Sequence, residues 1–329
     1  MTKLIIQIPC YNEEATLGIT LSALPREIPG VDIIEWLVID DGSTDKTVEV
    51  AKSHGVNHII SHPRNEGLSR AFKTGIQACL KAGADIIVNT DADNQYRADD
   101  IPALVTPILE GKADIVIGAR PIGEIEHFSL LKKCLQKIGS WVVRQMSSTD
   151  IPDAPSGFRA MSRNAAMRLH IFNAYTYTME ATIQAGQKGM MILSVPIKVN
   201  KQLRPSRLVR NNFEYVKQQA ITIIRSFVTY RPFRFFALPG LIAFTLGMML
   251  GLRFLYYSFI LGLPTGKIQS LILAALLMGG GFFWMTTALL ADLISVNRRL
   301  LESLYWRVQQ IEENVEKMQT WDTSPREKK

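Results

Sequence analysis

Apolar residues over the first two hundred positions follow two periods. Short β-branched runs, LIIQIP at 4–9, WLVID at 36–40, NHIISH at 57–62 and ADIIV at 84–88, are bounded by polar residues and read as strands, the last of them buried on both faces. Between them, NEEATLGITLSALPRE carries Leu17, Leu21 and Leu24 at helical spacing. STDKTVEVAKSHG offers Ser43 or Thr44 as a helix start ahead of Val48 and Ala51. RNEGLSRAFKTGIQACLKAG reads as a loop with Gly67, then a helix stopped by Gly83. Strands alternating with helices over short connections predict an α/β fold, a parallel sheet with helices on both faces.

Near residue 235 the pattern changes. Phe235 to Ile260 carries one charge, Arg253, and Ile268 to Val296 carries one, Asp292. Each run exceeds the roughly 20 residues that span a hydrocarbon core, so two transmembrane helices are expected. Arg253 and Asp292 fall near opposite ends of these spans, which suits topology or helix-pair roles. Upstream, Phe213, Val216, Ala220, Ile223, Ile224 and Phe227 recur at helical spacing around Lys217, Gln218 and Arg225. That helix can lie in the membrane interface or pack on a globular domain.

Basic residues set the expected orientation. Arg225, Arg231 and Arg234 precede the first span, Arg298, Arg299 and Arg307 follow the second, and the loop between offers only Lys267. The bias places both flanks in the cytoplasm. The start, MTKLIIQIPC, shows no signal-peptide pattern, so the long N-terminal part is expected to be cytosolic, at the inner (cytoplasmic) membrane. The net charge is +7 with a pI near 9.3. The basic residues concentrate between Lys198 and Arg234 and after the second span, which favours lipid headgroups or phosphates over nucleic acid. Cys10, Cys79 and Cys134 are scattered, as packed reduced thiols would be.

Three predicted strand ends carry the candidate chemistry: Pro9, Tyr11 and Asn12, then Asp40 and Asp41, then Asp91 and Asp93. In an open α/β sheet such ends line the ligand crevice. Asp91, Asp93 and Gln95 offer hard oxygen ligands for Mg²⁺ or Mn²⁺, although Asp and Asn so spaced also form ordinary turns. Neither G-x-x-x-x-G-K-[ST] nor G-x-G-x-x-G is present, which argues against an ATPase or a dehydrogenase.

Seven segments in order, IPCYNEEATL, VIDDGSTDKT, NEGLSRAFKTG, DADNQY, GAR, DAPSGFRAMSR and VPIKVNKQLRPSRLVRN, resemble glycosyltransferase family 2, in particular its polyprenyl-phosphate glycosyltransferases related to dolichyl-phosphate mannosyltransferase. The resemblance implies a GT-A fold, a Rossmann-like nucleotide-diphospho-sugar transferase domain, with a nucleotide-diphospho-sugar donor (UDP or GDP) and a polyprenyl monophosphate acceptor. It implies a catalytic domain over 1–210, a juxtamembrane amphipathic helix over 211–233, a two-helix anchor over 234–297 and a cytosolic helix and tail over 298–329.

Carried over by residue, Pro9, Tyr11 and Glu13 would line the base and ribose pocket, and Asp41 would accept from the base. Asp91 would contact ribose or metal, and Asp93 and Gln95 would hold the metal. Arg120 would meet phosphate; a buried arginine tying two loops together is its other reading. Lys132, Lys133, Arg204 and Arg207 would take the acceptor phosphate; the family often has Arg and Ser four apart on this helix, where Lys132 and Gln136 stand here, and a lysine pair on a helix also reads as a solvated face. The family inverts the anomeric centre, and Asp153 matches its general-base position. A phosphate monoester with a second pKa of about 6 is already mostly dianionic at neutral pH, so Asp153 could instead orient the acceptor or assist the metal. Glu180 could pair with Arg159 or stand exposed. Transfer to another lipid or glycan, and a catalytically silent nucleotide-sugar-binding scaffold, are the alternative functions. The GMMLG and MGGG stretches suit close packing of anchors into a homo-oligomer.

Overall fold

The computed structural model describes residues 1–121, 130–147, 149–171, 177–200, 221, 224–225, 228–260 and 268–323. The chain divides into two compact units, Met1–Ile221 and Thr222–Lys329. The first is built on a seven-stranded sheet of β1 (Lys3–Cys10), β2 (Ile33–Asp40), β3 (His58–Ser61), β4 (Ile86–Asn89), β5 (Ile115–Ala119), β6 (Arg159–Ser162) and β7 (Ile192–Pro196). Their order is β3-β2-β1-β4-β6-β5-β7.

β1 to β4 are the four runs read from the sequence, and they pair in parallel. The parallel expectation fails at β6, which is antiparallel to both β4 and β5. Its chain enters from the edge where β1, β2 and β4 end, so the loop leading into it joins the crevice. β6 is only four residues long, RAMS, and so short a strand carries no directional pattern, so the sequence could not show this reversal.

Strand alternation sends Leu4, Ile6, Ile8 and Val38 to one face, in a core with Leu17 and Leu21 of α1 (Leu17–Ala23) and Leu104 and Val105 of α4 (Ile101–Leu109). Full burial of each such side chain is worth about 1.5–3 kcal/mol. Against the other face lies α3 (Leu68–Lys81), which buries Phe72, Ile76 and Cys79. It ends, as expected, at Gly83 with φ +79°. α2 (Thr47–Ser53) starts later than Ser43 or Thr44, because both are engaged with Asn12 and Asp45 Oδ1 accepts from the Thr47 N–H at 3.0 Å instead. α5 (Leu130–Ser147), α6 (Arg163–Arg168) and α7 (Thr178–Gln187) complete the unit.

The second unit contains α8 (Pro232–Leu255), a π-turn over Tyr256–Ile260, and α9 (Ile268–Thr323). Pro232–Ile260 and Ile268–Val308 are long and apolar enough to cross a membrane. Small residues bring α8 and α9 together: a Cβ on Gly247 would stand 2.8 Å from the Ala274 carbonyl, and one on Gly281 would stand 2.6 Å from the Phe244 nitrogen. α9 runs unbroken from the apolar stretch to Thr323, through the boundary the sequence suggested near 297. Most of the predicted amphipathic helix at 213–230 lies outside the described residues.

Candidate active site

The crevice opens where the sheet order reverses beside β1, with β2 on one side and β4 on the other. Pairing with β2 continues to Cys10↔Asp40, whereas pairing with β4 stops at Gln7↔Asn89. β1 therefore outruns β4. Pro9, which has no N–H to offer, sits on this overhang, where the β4 ladder has ended.

Two loops interlock at its mouth. Asn12, with φ +54°, donates its N–H to Ser43 Oγ at 2.9 Å, and its Oδ1 accepts from the Thr44 N–H at 2.8 Å. The Glu13 N–H reaches Thr47 Oγ1 at 2.8 Å, and Glu13 Oε2 accepts from Thr16 Oγ1 at 2.7 Å. Tyr11 stands exposed between these buried anchors. Asp41 is buried and accepts the Glu66 N–H at 3.0 Å and the Gly67 N–H at 2.8 Å. His62 Nδ1 lies 2.8 Å from Asp41 Oδ1, and its Nε2 lies 3.0 Å from Thr74 Oγ1. Asp41 thus clamps the 62–67 loop, and much of its acceptor capacity is used within the protein.

The turn after β4 brings Asp91, Asp93 and Gln95 to the same crevice. Asn94 takes φ +55°, a conformation Asn tolerates better than most side chains. The Gln95 N–H bonds Asp93 Oδ1 at 3.1 Å, and Thr20 Oγ1 holds the Ala92 carbonyl at 3.0 Å. Asn200 caps the far side by donating Nδ2 to the Asn94 carbonyl at 2.9 Å. Burial, followed by the charge of Asp93, pushes the Asp91 carboxyl up to about 7, against the opposing pull of Arg120.

Arg120, just past β5, grips Asp153 as a fork, Nε to Oδ2 at 2.7 Å and Nη2 to Oδ1 at 3.0 Å, and its backbone N–H adds a third bond at 3.2 Å. Asp153 is 1% exposed. The arginine ties the 120 and 153 loops together, and its charge also reaches Asp91. Arg159, equally buried, donates to the carbonyls of Ser156 at 2.5 Å and Thr178 at 3.3 Å, and Glu180 is buried on α7.

Beneath the carboxylates lies a polar network with no sequence signature. Gln7 Nε2 donates to Asn89 Oδ1, and Asn89 Nδ2 donates to the Gly157 carbonyl and to the Tyr177 hydroxyl, each at 2.9 Å. The Gly157 N–H donates to the Tyr96 hydroxyl at 3.1 Å. A Cβ on Gly157 would stand 3.3 Å from Asp91 Oδ1, so the turn into β6 passes directly over the carboxylate. His62, Asn89 and Tyr177 belong to no motif read from the sequence. A polar Asn89 at the end of the otherwise apolar IIVN strand was the available hint.

The fold therefore gathers Pro9, Tyr11, Glu13, Asp41, Asp91, Asp93, Gln95, Arg120 and Asp153 at one edge of the sheet. Lys132 and Lys133 are carried by α5, and Arg204 and Arg207 lie outside the described residues. The oxygen donors of Asp91, Asp93 and Gln95 suit a hard divalent cation, whose charge would offset the repulsion that raises Asp91. Among the described residues no three His, Cys, Asp or Glu side chains converge to hold a metal. A cation here would complete its shell with phosphate oxygens and water.

The family model of Glycosyl transferase family 2 matches residues 5–169. The undecaprenyl-phosphate mannosyltransferase of Micrococcus luteus is 28% identical over 63% of this chain and 87% of its own. The UDP-N-acetylglucosamine–dolichyl-phosphate N-acetylglucosaminyltransferase of Methanococcus voltae is 30% identical over 58% of this chain and 83% of its own. Glucosyl-3-phosphoglycerate synthase from Mycobacterium tuberculosis, solved with Mn²⁺, UDP and glucosyl-3-phosphoglycerate, shares the fold, with a TM-score of 0.55 at 20% identity over 70% of this chain and 80% of its own.

Proposed function

The chain belongs to glycosyl transferase family 2, and we propose that it transfers a sugar from a nucleotide-diphospho-sugar to a polyprenyl monophosphate at the cytoplasmic face of the membrane, with inversion and with Mg²⁺ or Mn²⁺. The observation that carries this reading is the Arg120 fork on Asp153 beside Asp91, which sets a fixed cation against the carboxylates of a metal and diphosphate site. Polyprenyl phosphate acceptors recur in the names of relatives whose sugars differ, which supports the acceptor class and leaves the sugar open.

In this reading residues 1–210 form the catalytic domain, 211–233 a juxtamembrane helix, 234–297 the anchor and 298–329 a cytosolic helix and tail. Pro9, Tyr11 and Glu13 line the base and ribose pocket, with the last acceptor position of Asp41 turned to the base. Asp91, Asp93 and Gln95 would hold the cation, which when bound neutralises charge growing on the leaving diphosphate. Arg120 adds a positive charge that needs no reorganisation, because Asp153 already fixes its plane. A dianionic acceptor needs little help losing a proton, so Asp153 serves chiefly to aim Arg120. Lys132, Lys133, Arg204 and Arg207 would receive the acceptor phosphate.

The test is a transfer assay on purified protein in detergent with undecaprenyl phosphate, either cation, and a panel of UDP- and GDP-sugars, read by mass spectrometry of the lipid. One glycosyl-phospholipid, formed only with cation and lost in Asp93→Ala, is the expected result. Metal-dependent nucleotide binding with no lipid product from any donor would overturn the acceptor and point to another lipid or glycan.

A further inference from the structure

α9 is longer than a membrane requires. Its 56 residues extend about 84 Å at about 1.5 Å each, against a hydrocarbon core of about 30 Å. Arg298 and Arg299 close the apolar stretch, and the helix continues to Thr323.

One flank of this helix is buried. Ala274, Gly281, Ala288, Ser295 and Glu302, spaced by sevens, are buried, and Glu302 Oε1 lies 3.6 Å from Arg298 Nε. Around the helix from this flank, Leu301, Leu304, Val308 and Ile311 are 66, 57, 50 and 61% exposed. Their spacing alternates three and four, and the sequence repeats it at Val315 and Met318. This is a heptad seam with Leu301, Val308 and Val315 at a, and Leu304, Ile311 and Met318 at d.

We propose that this seam is an interface with a second copy of the chain, forming a parallel two-stranded coiled coil. Two copies whose α8 and α9 cross one membrane enter it in the same direction, so their extensions leave it parallel and in register. In that register Arg307, at g, faces Glu312, at e of the partner's next heptad, and the two charges are opposite. An antiparallel pair would set g against g and lose this match. Val308 and Val315 at a with Leu304 at d favour two strands, against the opposite preference of Leu301 at a and Ile311 at d.

The test uses the full chain in detergent. Under mild oxidation by copper phenanthroline, Ile311→Cys is expected to give a disulfide-linked dimer, whereas Glu313→Cys, at the outward f position, is expected to remain uncoupled. By light scattering, Leu304→Glu with Ile311→Glu should halve the protein mass. Arg307→Glu keeps the apolar seam and should weaken the dimer threefold or more, with recovery in Arg307→Glu/Glu312→Arg. Unchanged circular dichroism in each variant separates dissociation from misfolding. Equal coupling at 311 and 313, a single-chain mass for the unaltered protein, or an assembly that the glutamates leave intact would overturn the proposal.

Discussion

Arg120 and Asp153, from loops 33 positions apart, form a two-pronged ion pair with arms of 2.7 and 3.0 Å in a buried setting. Removing one partner leaves the other charge uncompensated, which typically costs about 3–5 kcal/mol. Asp153→Ala is therefore expected to destabilise the first unit by that amount in denaturant unfolding. Asp153→Asn, which keeps the shape but surrenders the charge, should lower kcat more than tenfold with a smaller change in donor KM. Unchanged turnover would remove this pair from the mechanism.

The Asp91 carboxyl gives a pH dependence of definite sign. With its folded value pushed up to about 7, the metal-free protein holds a proton there that the unfolded chain releases near the usual carboxylate range of about 4. Its stabilising contribution is present below that range and is lost as pH rises through about 7. A divalent cation competes with the same proton, so cation affinity should rise between pH 5 and 8. Titration calorimetry in buffers of different ionisation enthalpy should show proton release on binding at pH 6 and little at pH 8.

Asn89 satisfies three buried groups at once: the Gln7 amide, the Gly157 carbonyl and the Tyr177 hydroxyl. Each orphaned buried polar group costs about 1–3 kcal/mol. Asn89→Leu is expected to destabilise by about 3 kcal/mol or more. Tyr177→Phe, which removes one hydroxyl and preserves the ring stacked on Phe72, should cost about 1 kcal/mol. Equal losses in urea unfolding would contradict the network.

Gly42 combines a φ of +72° with backbone crowding, since a Cβ there would stand 2.5 Å from the Arg64 carbonyl carbon. The left-handed conformation alone costs a non-glycine residue about 1–2 kcal/mol. Gly42→Ala should lower stability by more than that and weaken nucleotide binding, because it pushes apart the loops that Asp41 joins. A substitution with no effect on thermal unfolding would show that the 64–65 segment yields freely.

Sequence alone determined the features that depend on local period and burial. β1 to β4 follow from β-branched runs, the end of α3 from Gly83, and the two apolar helices from long stretches that carry a single charge each. The acidic strand ends pointed to a crevice only in combination, because each alone also reads as an ordinary turn. Only the tertiary structure decided which distant groups met. The direction of β6, the Arg120 fork, the three donors to Asp41 and the Asn89 network each join residues far apart along the chain. A hydrophobic pattern records how deeply a residue is buried, but not which partner satisfies its polar atoms. That partner is set when strands reverse and loops cross, where desolvation makes every unpaired donor costly.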